Sequence, residues 1–132
     1  MRKITNQEYL VLKSMLGHSS FLKSCNLDRF LQSILVEDMD DGGMGSLKIL
    51  HKECIERKHL SILTEADFID EDGINAIISI IKNSSGDIIE IDIQKDNFSP
   101  LLSWPDPKDL RFNIIPTAEI ADSLGIFTGC KS

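Results

Sequence analysis

Apolar and polar residues alternate through the middle of the chain, which predicts a series of β-strands. The clearest case is Ile88–Ile93, where three isoleucines at odd positions face one way and Glu90 and Asp92 face the other. This pattern is typical of a strand with one side in water. Ile74–Ile81 contains five isoleucines in eight residues, which favours a central strand. Three further segments complete a set of about five strands: residues 34–36, 46–51 and 61–69.

Short glycine- and aspartate-containing turns separate these strands. Three glycines lie within Gly42–Gly45, where a hairpin turn needs positive φ angles. Asp72-Gly73 is flanked by apolar runs and is a strong hairpin signal, and Asn83–Asp87 predicts a further turn. Because short links make neighbouring strands antiparallel, we expect an antiparallel meander.

A capping box predicts a helix near the N-terminus. Thr5 fits the N-cap, Glu8 fits the third helical position, and an apolar stripe follows with helical spacing. Gly17 is expected to lie just after the helix. One face of the sheet is apolar and must be covered, and this helix is the expected cover. Weaker helical signals occur at 21–27 and 116–124.

The predicted fold is therefore a single α+β domain. It comprises a helical N-terminal part at 1–30, an antiparallel sheet of about five strands at 31–96, and a loop-rich segment at 97–132. A chain of 132 residues that is 42% hydrophobic is long enough to bury one ordinary core.

Charge and composition narrow the function. The formal net charge is −7, and the acidic residues concentrate in the middle of the chain, which argues against nucleic-acid binding and suits a basic protein partner. No apolar run is long enough for a membrane helix, and no signal peptide is predicted, so we expect a cytoplasmic protein. The three cysteines are widely spaced, which is typical of free thiols. The oligomeric state stays open.

Candidate catalytic and metal patterns are weak. The glycine-rich turn lacks the lysine of a phosphate-binding loop directly after Gly45. The aspartates near 38–41 and 70–72 do not fit the spacing of a calcium loop. His51, Cys54 and His59 are too few to complete a zinc site by themselves. We therefore predict no enzyme activity, no cofactor and no metal, while a small-molecule- or metal-binding domain, possibly enzymatic, is the alternative.

The predicted partner-binding residues are acidic side chains at two turns and one tryptophan. If the two turns lie at the same edge of the sheet, their carboxylates form one negative patch, and tryptophan is enriched at binding hot spots. These residues are Glu37, Asp38, Asp40, Asp41, Asp70, Asp72 and Trp104.

Several motifs resemble those of a bacterial family of small stand-alone proteins of unknown function. They are the segments 38–47 and 96–101, together with Glu65–Phe68 and Asp72-Gly73. The resemblance implies a bacterial cytoplasmic protein with no settled activity, so no catalytic residue is carried over. The protein is also similar in type to immunity proteins of interbacterial toxin systems, which is a fold-level analogy.

These observations lead to one functional prediction. We expect a non-catalytic binding protein, most specifically an immunity-type inhibitor whose acidic turns neutralise a basic, toxin-like partner. A module that mainly oligomerises, with Ile88–Ile93 as an edge strand, is a further alternative.

Overall fold

The computed structural model describes residues 1–19, 27–40, 42–51 and 55–112. Within these ranges the helices and strands follow one another in the order β1-α1-α2-β2-β3-β4-β5-β6, and one 3₁₀ turn comes after them. The elements are β1 (Arg2–Lys3), α1 (Asn6–Gly17), α2 (Leu27–Ser33), β2 (Leu35–Asp38), β3 (Leu47–Leu50), β4 (Ser61–Ile69), β5 (Asn75–Lys82), β6 (Ile88–Lys95) and the 3₁₀ turn Pro107–Asp109.

The strands form one antiparallel sheet in the order β1-β2-β3-β6-β5-β4. The α+β class and the antiparallel sheet are confirmed. The order departs from a continuous meander at one place, because β3 pairs with β6, with Leu47 opposite Ile91. This pairing puts the isoleucine-rich strands β5 and β6 in the interior of the sheet, where both can bury their apolar sides.

Two strand expectations need correction. The strand β1 was not predicted, since a pair of residues is too short to show a periodic pattern and is held by pairing with β2. The alternative that Ile88–Ile93 is an edge strand is wrong, because β6 has hydrogen-bonded neighbours on both sides. The edges within the described ranges are β1 and β4.

The predicted helix covers the apolar face of the sheet, as expected. Buried side chains of α1, such as Leu12 and Met15, belong to the same core cluster as inward-facing isoleucines of the sheet. Those isoleucines alternate along the central strands and face each other in register, with Ile78 opposite Ile93 and Ile80 opposite Ile91. The core therefore lies on one side of the sheet.

The capping box of α1 is confirmed. The backbone N–H of Glu8 donates to Thr5 Oγ1 at 3.2 Å, and the backbone N–H of Thr5 donates to Glu8 Oε1 at 2.8 Å. Arg2 also donates two hydrogen bonds to the buried Glu8 carboxylate, at 2.9 and 2.8 Å. The helix includes Gly17 and ends at His18, which keeps right-handed backbone angles and donates its N–H to carbonyls of the last turn. Gly17 therefore does not lie after the helix as predicted.

The glycines in the hairpin turns have the positive φ angles that were predicted for them. Gly42 and Gly43 have φ angles of 77° and 82°, and Gly73 in the β4–β5 turn has a φ of 80°. These values lie in the left-handed region that glycine adopts without a side-chain clash. Both predicted hairpins, β2–β3 and β4–β5, are present.

The ends of the domain differ in part from expectation. Helix α2 runs to Ser33, past the predicted boundary of the helical part at residue 30. Except for Leu27, the predicted helix at 21–27 lies outside the described residues, and so does the predicted helix at 116–124. Neither helix in the described ranges is long and apolar enough to cross a membrane.

Candidate functional site

A buried lysine and two aspartates organise the end of the sheet where the β2–β3 and β4–β5 turns lie. Lys95 is the last residue of β6 and has no exposed surface. Its Nζ lies 2.8 Å from Asp70 Oδ2 and 2.7 Å from Asp72 Oδ2, and it also donates to the carbonyl of Pro100 at 3.0 Å. We call Lys95, Asp70 and Asp72 the Lys95 cluster.

Asp70 accepts hydrogen bonds from backbone N–H groups as well as from Lys95. Its Oδ2 accepts a hydrogen bond from the backbone N–H of Leu102 at 2.8 Å. Its Oδ1 accepts from the N–H of Glu71 at 2.8 Å and from that of Ser103 at 3.3 Å. The four donors satisfy both oxygens of a carboxylate that is only 4% exposed. Asp70 therefore ties the segment after β6 to the β4–β5 turn.

These contacts keep all three groups of the cluster charged. Burial by itself would raise the pKa of Asp70, but hydrogen bonds from Lys95 and from three backbone N–H groups leave that pKa below its ordinary value. The hydrogen bond from Lys95 is the main reason that the pKa of Asp72 is lowered. Burial would lower the pKa of Lys95, yet its hydrogen bonds to the two carboxylates raise it overall. Hydrogen bonds to the ionised form act in this direction.

The segment after β6 also contacts the glycine-rich turn. The backbone N–H of Leu101 donates to the carbonyl of Gly43 at 2.9 Å. Gly45 has a φ of 96°, and a Cβ built on it would lie 3.0 Å from Leu101 Cδ2 and 3.7 Å from Trp104 Nε1. A side chain at this position would require Leu101 to shift, and the positive φ also favours glycine. Residues 99–104 therefore form a bridge between the two predicted acidic turns.

Trp104 is half-buried at the end of this bridge and lines a cleft of about 410 Å³. We call it the Trp104 cleft. Part of the indole packs against the core cluster, and the cleft contains the Ile69 side chain, which is 56% exposed. The remaining lining residues are Glu71, Ser103, Pro105, Asp106, Asp109 and Arg111.

More acidic than basic residues line the cleft. The acidic residues Glu71, Asp106 and Asp109 line it and are all exposed. Arg111 is the basic lining residue, and its charge is shared with Asp67, which lies 2.8 Å from its Nε. A wall of tryptophan and isoleucine beside these carboxylates can hold a cationic side chain through both its aliphatic stem and its charge.

The acidic residues of the first predicted turn lie on the far side of the bridge. Glu37 is exposed on β2 and pairs in register with Lys48. Asp38 accepts two hydrogen bonds from Arg2, which lower its pKa. Asp40 is exposed, and Asp41 lies outside the described residues. The two turns share one end of the sheet, but residues 99–104 lie between them.

The acidic residues of the second turn have a different environment from the one expected. Asp70 is buried under the bridge and paired with Lys95, so its carboxylate is not on the surface. Asp72 keeps 33% of its side chain exposed while it contacts the same lysine. In this turn Glu71, rather than Asp70, lines the Trp104 cleft.

Lys95 was missed in the sequence, although a signal was present. Ile91 and Ile93 of β6 belong to the core cluster, and Lys95 continues the same parity. A lysine on the core side of a strand needs a carboxylate partner. In the predicted meander, the end of β6 lies beside the start of β5 and the turn before it, so the expected strand neighbours pointed to Asp70 and Asp72 as the partners.

The weak metal patterns gain no support in the described ranges. These ranges contain no group of three or more histidine, cysteine, aspartate or glutamate residues arranged to hold a metal ion. His51 Nε2 lies 2.8 Å from the carbonyl oxygen of Ile88, and Cys54 lies outside the described residues.

A second, open cleft of about 540 Å³ lies between β1, α1 and α2, and Lys3, Tyr9 and Gln32 are among its lining residues.

Comparison with known proteins identifies a family but no activity. No curated protein and no solved structure matches the chain. A family model described as "Domain of unknown function (DUF6984)" matches residues 1–105, a range that contains the whole sheet, the Lys95 cluster and Trp104. The expected resemblance to a family of unknown function is confirmed, and this protein belongs to the DUF6984 family.

Proposed function

We propose that this protein is a non-catalytic domain that binds a basic protein partner, with the Trp104 cleft as the anchor of the interface. The observation that carries the proposal is the half-buried indole of Trp104 in a cleft lined by three exposed carboxylates. Tryptophan that fills or lines a pocket is typical of the few residues that dominate binding energy at interfaces.

The apolar surface around the cleft supports this proposal. Ile69 lines the cleft, and Leu102 lies two residues before Trp104 on the bridge. Both side chains are 56% exposed. Apolar groups of this size at the surface lose contact with water when a partner covers them, which stabilises a complex.

The charge of the cleft selects the partner. Glu71, Asp106 and Asp109 line the same cleft as the indole, and the whole chain carries a formal charge of −7. A basic partner would be steered to this surface, whereas an acidic protein would be repelled. A lysine or arginine side chain that crosses the indole can approach the carboxylates at the same time.

The Lys95 cluster prepares the cleft before binding. Asp70 holds the backbone of Leu102 and Ser103, the two residues directly before Trp104. A segment ordered in advance loses less conformational entropy when the partner binds, so the affinity is higher. We assign Asp70 and Lys95 this positioning role and leave the surface contact to Trp104 and the exposed carboxylates.

The test is capture of the partner from an extract of the source cells with tagged wild-type and Trp104→Ala proteins, at low and high salt. We expect a basic protein that wild type retains at low salt and releases at high salt, and that Trp104→Ala does not retain. The Leu10→Ala variant is a matched control, because Leu10 is an exposed apolar residue on α1. Equal capture by wild type and Trp104→Ala would refute the proposal.

The finer form of the proposal is that the partner is a toxin and that this protein is its immunity-type inhibitor in the cytoplasm. Its support is the acidic charge together with the similarity in type to small acidic immunity proteins. Expression of the captured partner alone should then stop growth, and co-expression with this protein should restore it. A partner that is harmless when expressed alone would exclude the inhibitor role.

A further inference from the structure

Several side chains on the face of the sheet opposite α1 are exposed, although Ser79 at its centre is buried. Strand residues on this face alternate with the buried isoleucines, so the register identifies them. Ile77 on β5 is 39% exposed, and Ile62 on the edge strand β4 is 45% exposed. We call this side of β3, β6, β5 and β4 the open face.

Carboxylates dominate the centre of the open face. Glu65, Ser79 and Asp92 form one cross-strand row on β4, β5 and β6, and Ser79 donates to the Glu65 carboxylate at 2.9 Å. The next row contains Glu90, which lies opposite Lys48. Burial raises the pKa of Glu90, and the neighbouring Asp92 raises it further, as expected where negative charges crowd together. Arg57 acts on Glu90 in the opposite direction, and Arg111 pairs with Asp67. The carboxylates of Glu65 and Asp92 instead accept hydrogen bonds from the serine hydroxyls of Ser79 and Ser46.

We infer that the open face is a docking surface for a basic amphipathic helix of the protein partner. A sheet face with exposed isoleucines is commonly covered by the apolar side of a helix. Lysine and arginine residues at the margins of such a helix would meet Glu65, Asp92 and Glu90. This charge complementarity makes a basic protein the expected occupant of the face.

Charge also excludes a second copy of the chain as the occupant. Two copies that paired through their open faces would bring the same carboxylates together, and like charges in such contacts destabilise a complex. The edge strand β4 is also partly covered, because Asp67 and Arg111 form an antiparallel bridge with two backbone hydrogen bonds at 2.9 and 2.8 Å.

The open face is continuous with the Trp104 cleft. Ile69 and Arg111 line the cleft, and Asp67, which pairs with Arg111, lies on the open face opposite Ile77. The three strands β4, β5 and β6, of eight or nine residues each, and the four-residue β3 cover roughly 450 Å², whereas a standard interface buries about 800 Å² on each partner. The face by itself is therefore smaller than a standard interface, and the adjoining cleft enlarges it. The inference therefore rests on the proposed function and extends its interface.

Nuclear magnetic resonance titration of the full chain tests this inference. The probe is a synthetic lysine–leucine peptide that forms an amphipathic helix, and the reference probe is a scrambled peptide of the same composition. We expect amide shifts confined to β4, β5 and β6 and tighter binding of the amphipathic peptide. Equal affinity for the scrambled peptide, or shifts centred on α1, would overturn the inference.

Two variants locate the contact. Ile77→Thr keeps a β-branched residue on the strand while it removes apolar surface, and we expect peptide affinity to fall about 5-fold. Asp92→Asn keeps an acceptor for the Ser46 hydroxyl and removes one charge, so it should weaken binding at low salt. Leu10→Ala is the control, since Leu10 is similarly exposed on α1. Unchanged affinity in both face variants would overturn the inference.

The captured partner separates failure of this inference from failure of the proposed function. A partner that Trp104→Ala loses but Ile77→Thr and Asp92→Asn retain would overturn the open-face inference and leave the proposed function standing. A partner that all three variants retain would refute both. A partner that Trp104→Ala loses and Ile77→Thr weakens supports one interface across the cleft and the face.

Discussion

Replacement of Asp70 by asparagine tests the structural role of the Lys95 cluster most directly. Asp70 accepts hydrogen bonds from four donors, two at each carboxylate oxygen. Asparagine has one carbonyl oxygen and an NH₂ group, which is itself a donor. In either orientation of the amide, two of the four donors face the NH₂ group and lose their acceptor. The variant also removes a negative charge beside the buried ammonium of Lys95.

The expected cost follows from this geometry. Removing one partner of a buried ion pair costs about 3–5 kcal/mol of unfolding free energy. The Asp72 carboxylate and the Pro100 carbonyl still contact Lys95 in the variant, so we expect the lower end, about 3 kcal/mol. For a domain of this length, each kcal/mol lowers the melting temperature by about 3 °C, so Asp70→Asn should melt about 10 °C below wild type.

Thermal and urea unfolding, followed by circular dichroism, measure this difference. The matched control is Asp96→Asn, which makes the same chemical change at an exposed residue directly after Lys95. Its unfolding free energy should stay within about 0.5 kcal/mol of wild type. If Asp70→Asn were no less stable than Asp96→Asn, the Lys95 cluster would not hold this end of the sheet as argued.

Three further predictions follow from the cluster, the bridge and the helix cap. Because the pKa values of Asp70 and Asp72 are lowered in the folded protein, their stabilisation is present above the ordinary carboxyl pKa of about 4 and is lost as the pH falls below it. Urea unfolding from pH 7 to 2.5 should therefore show a steeper acid loss for wild type than for Asp70→Asn, and parallel curves would contradict this. In chemical unfolding, Gly45→Ala should lower the unfolding free energy by about 1–3 kcal/mol more than Gly86→Ala. Both glycines have a positive φ, but only the new Cβ at position 45 meets Leu101, so equal losses would contradict the close approach. Thr5→Ala should lower the unfolding free energy by about 1 kcal/mol because α1 loses its cap, and a neutral result would show that the capping box adds no stability.

Several features of the fold could be predicted because they depend on residues close together in the chain. The capping box at Thr5 and Glu8, the glycine turns and the alternation of Ile88–Ile93 are local patterns. Each is decided by backbone sterics or by the two-residue period of a strand. The α+β class and the five main strands follow from such patterns, and so does the helix that covers the sheet.

The candidate site depends on contacts that local patterns do not contain. Trp104 was predicted as an anchor from its residue type, but its cleft arises because the bridge after β6 folds against β4 and both hairpin turns. Asp70 and Glu71 are adjacent acidic residues in one turn, yet the first is buried and the second lines the cleft. No composition or charge count separates them, because burial is decided by the segment that covers the turn.

The strand order also combines local patterns, which the sequence shows, with long-range pairing, which it does not show. Alternation identifies β3 and β6 as strands, but their pairing joins residues as far as 44 positions apart, with Leu47 opposite Ile91. The β5–β6 pairing, with Ala76 opposite Lys95, places Lys95 beside the β4–β5 turn, and the β3–β6 pairing completes the open face between β3 and β4. The sequence by itself therefore determined the helix cap, the turns and which side of each strand is apolar. Only the tertiary structure decided which carboxylates are neutralised and which face the solvent, because long-range pairing and burial set the partner of each charge.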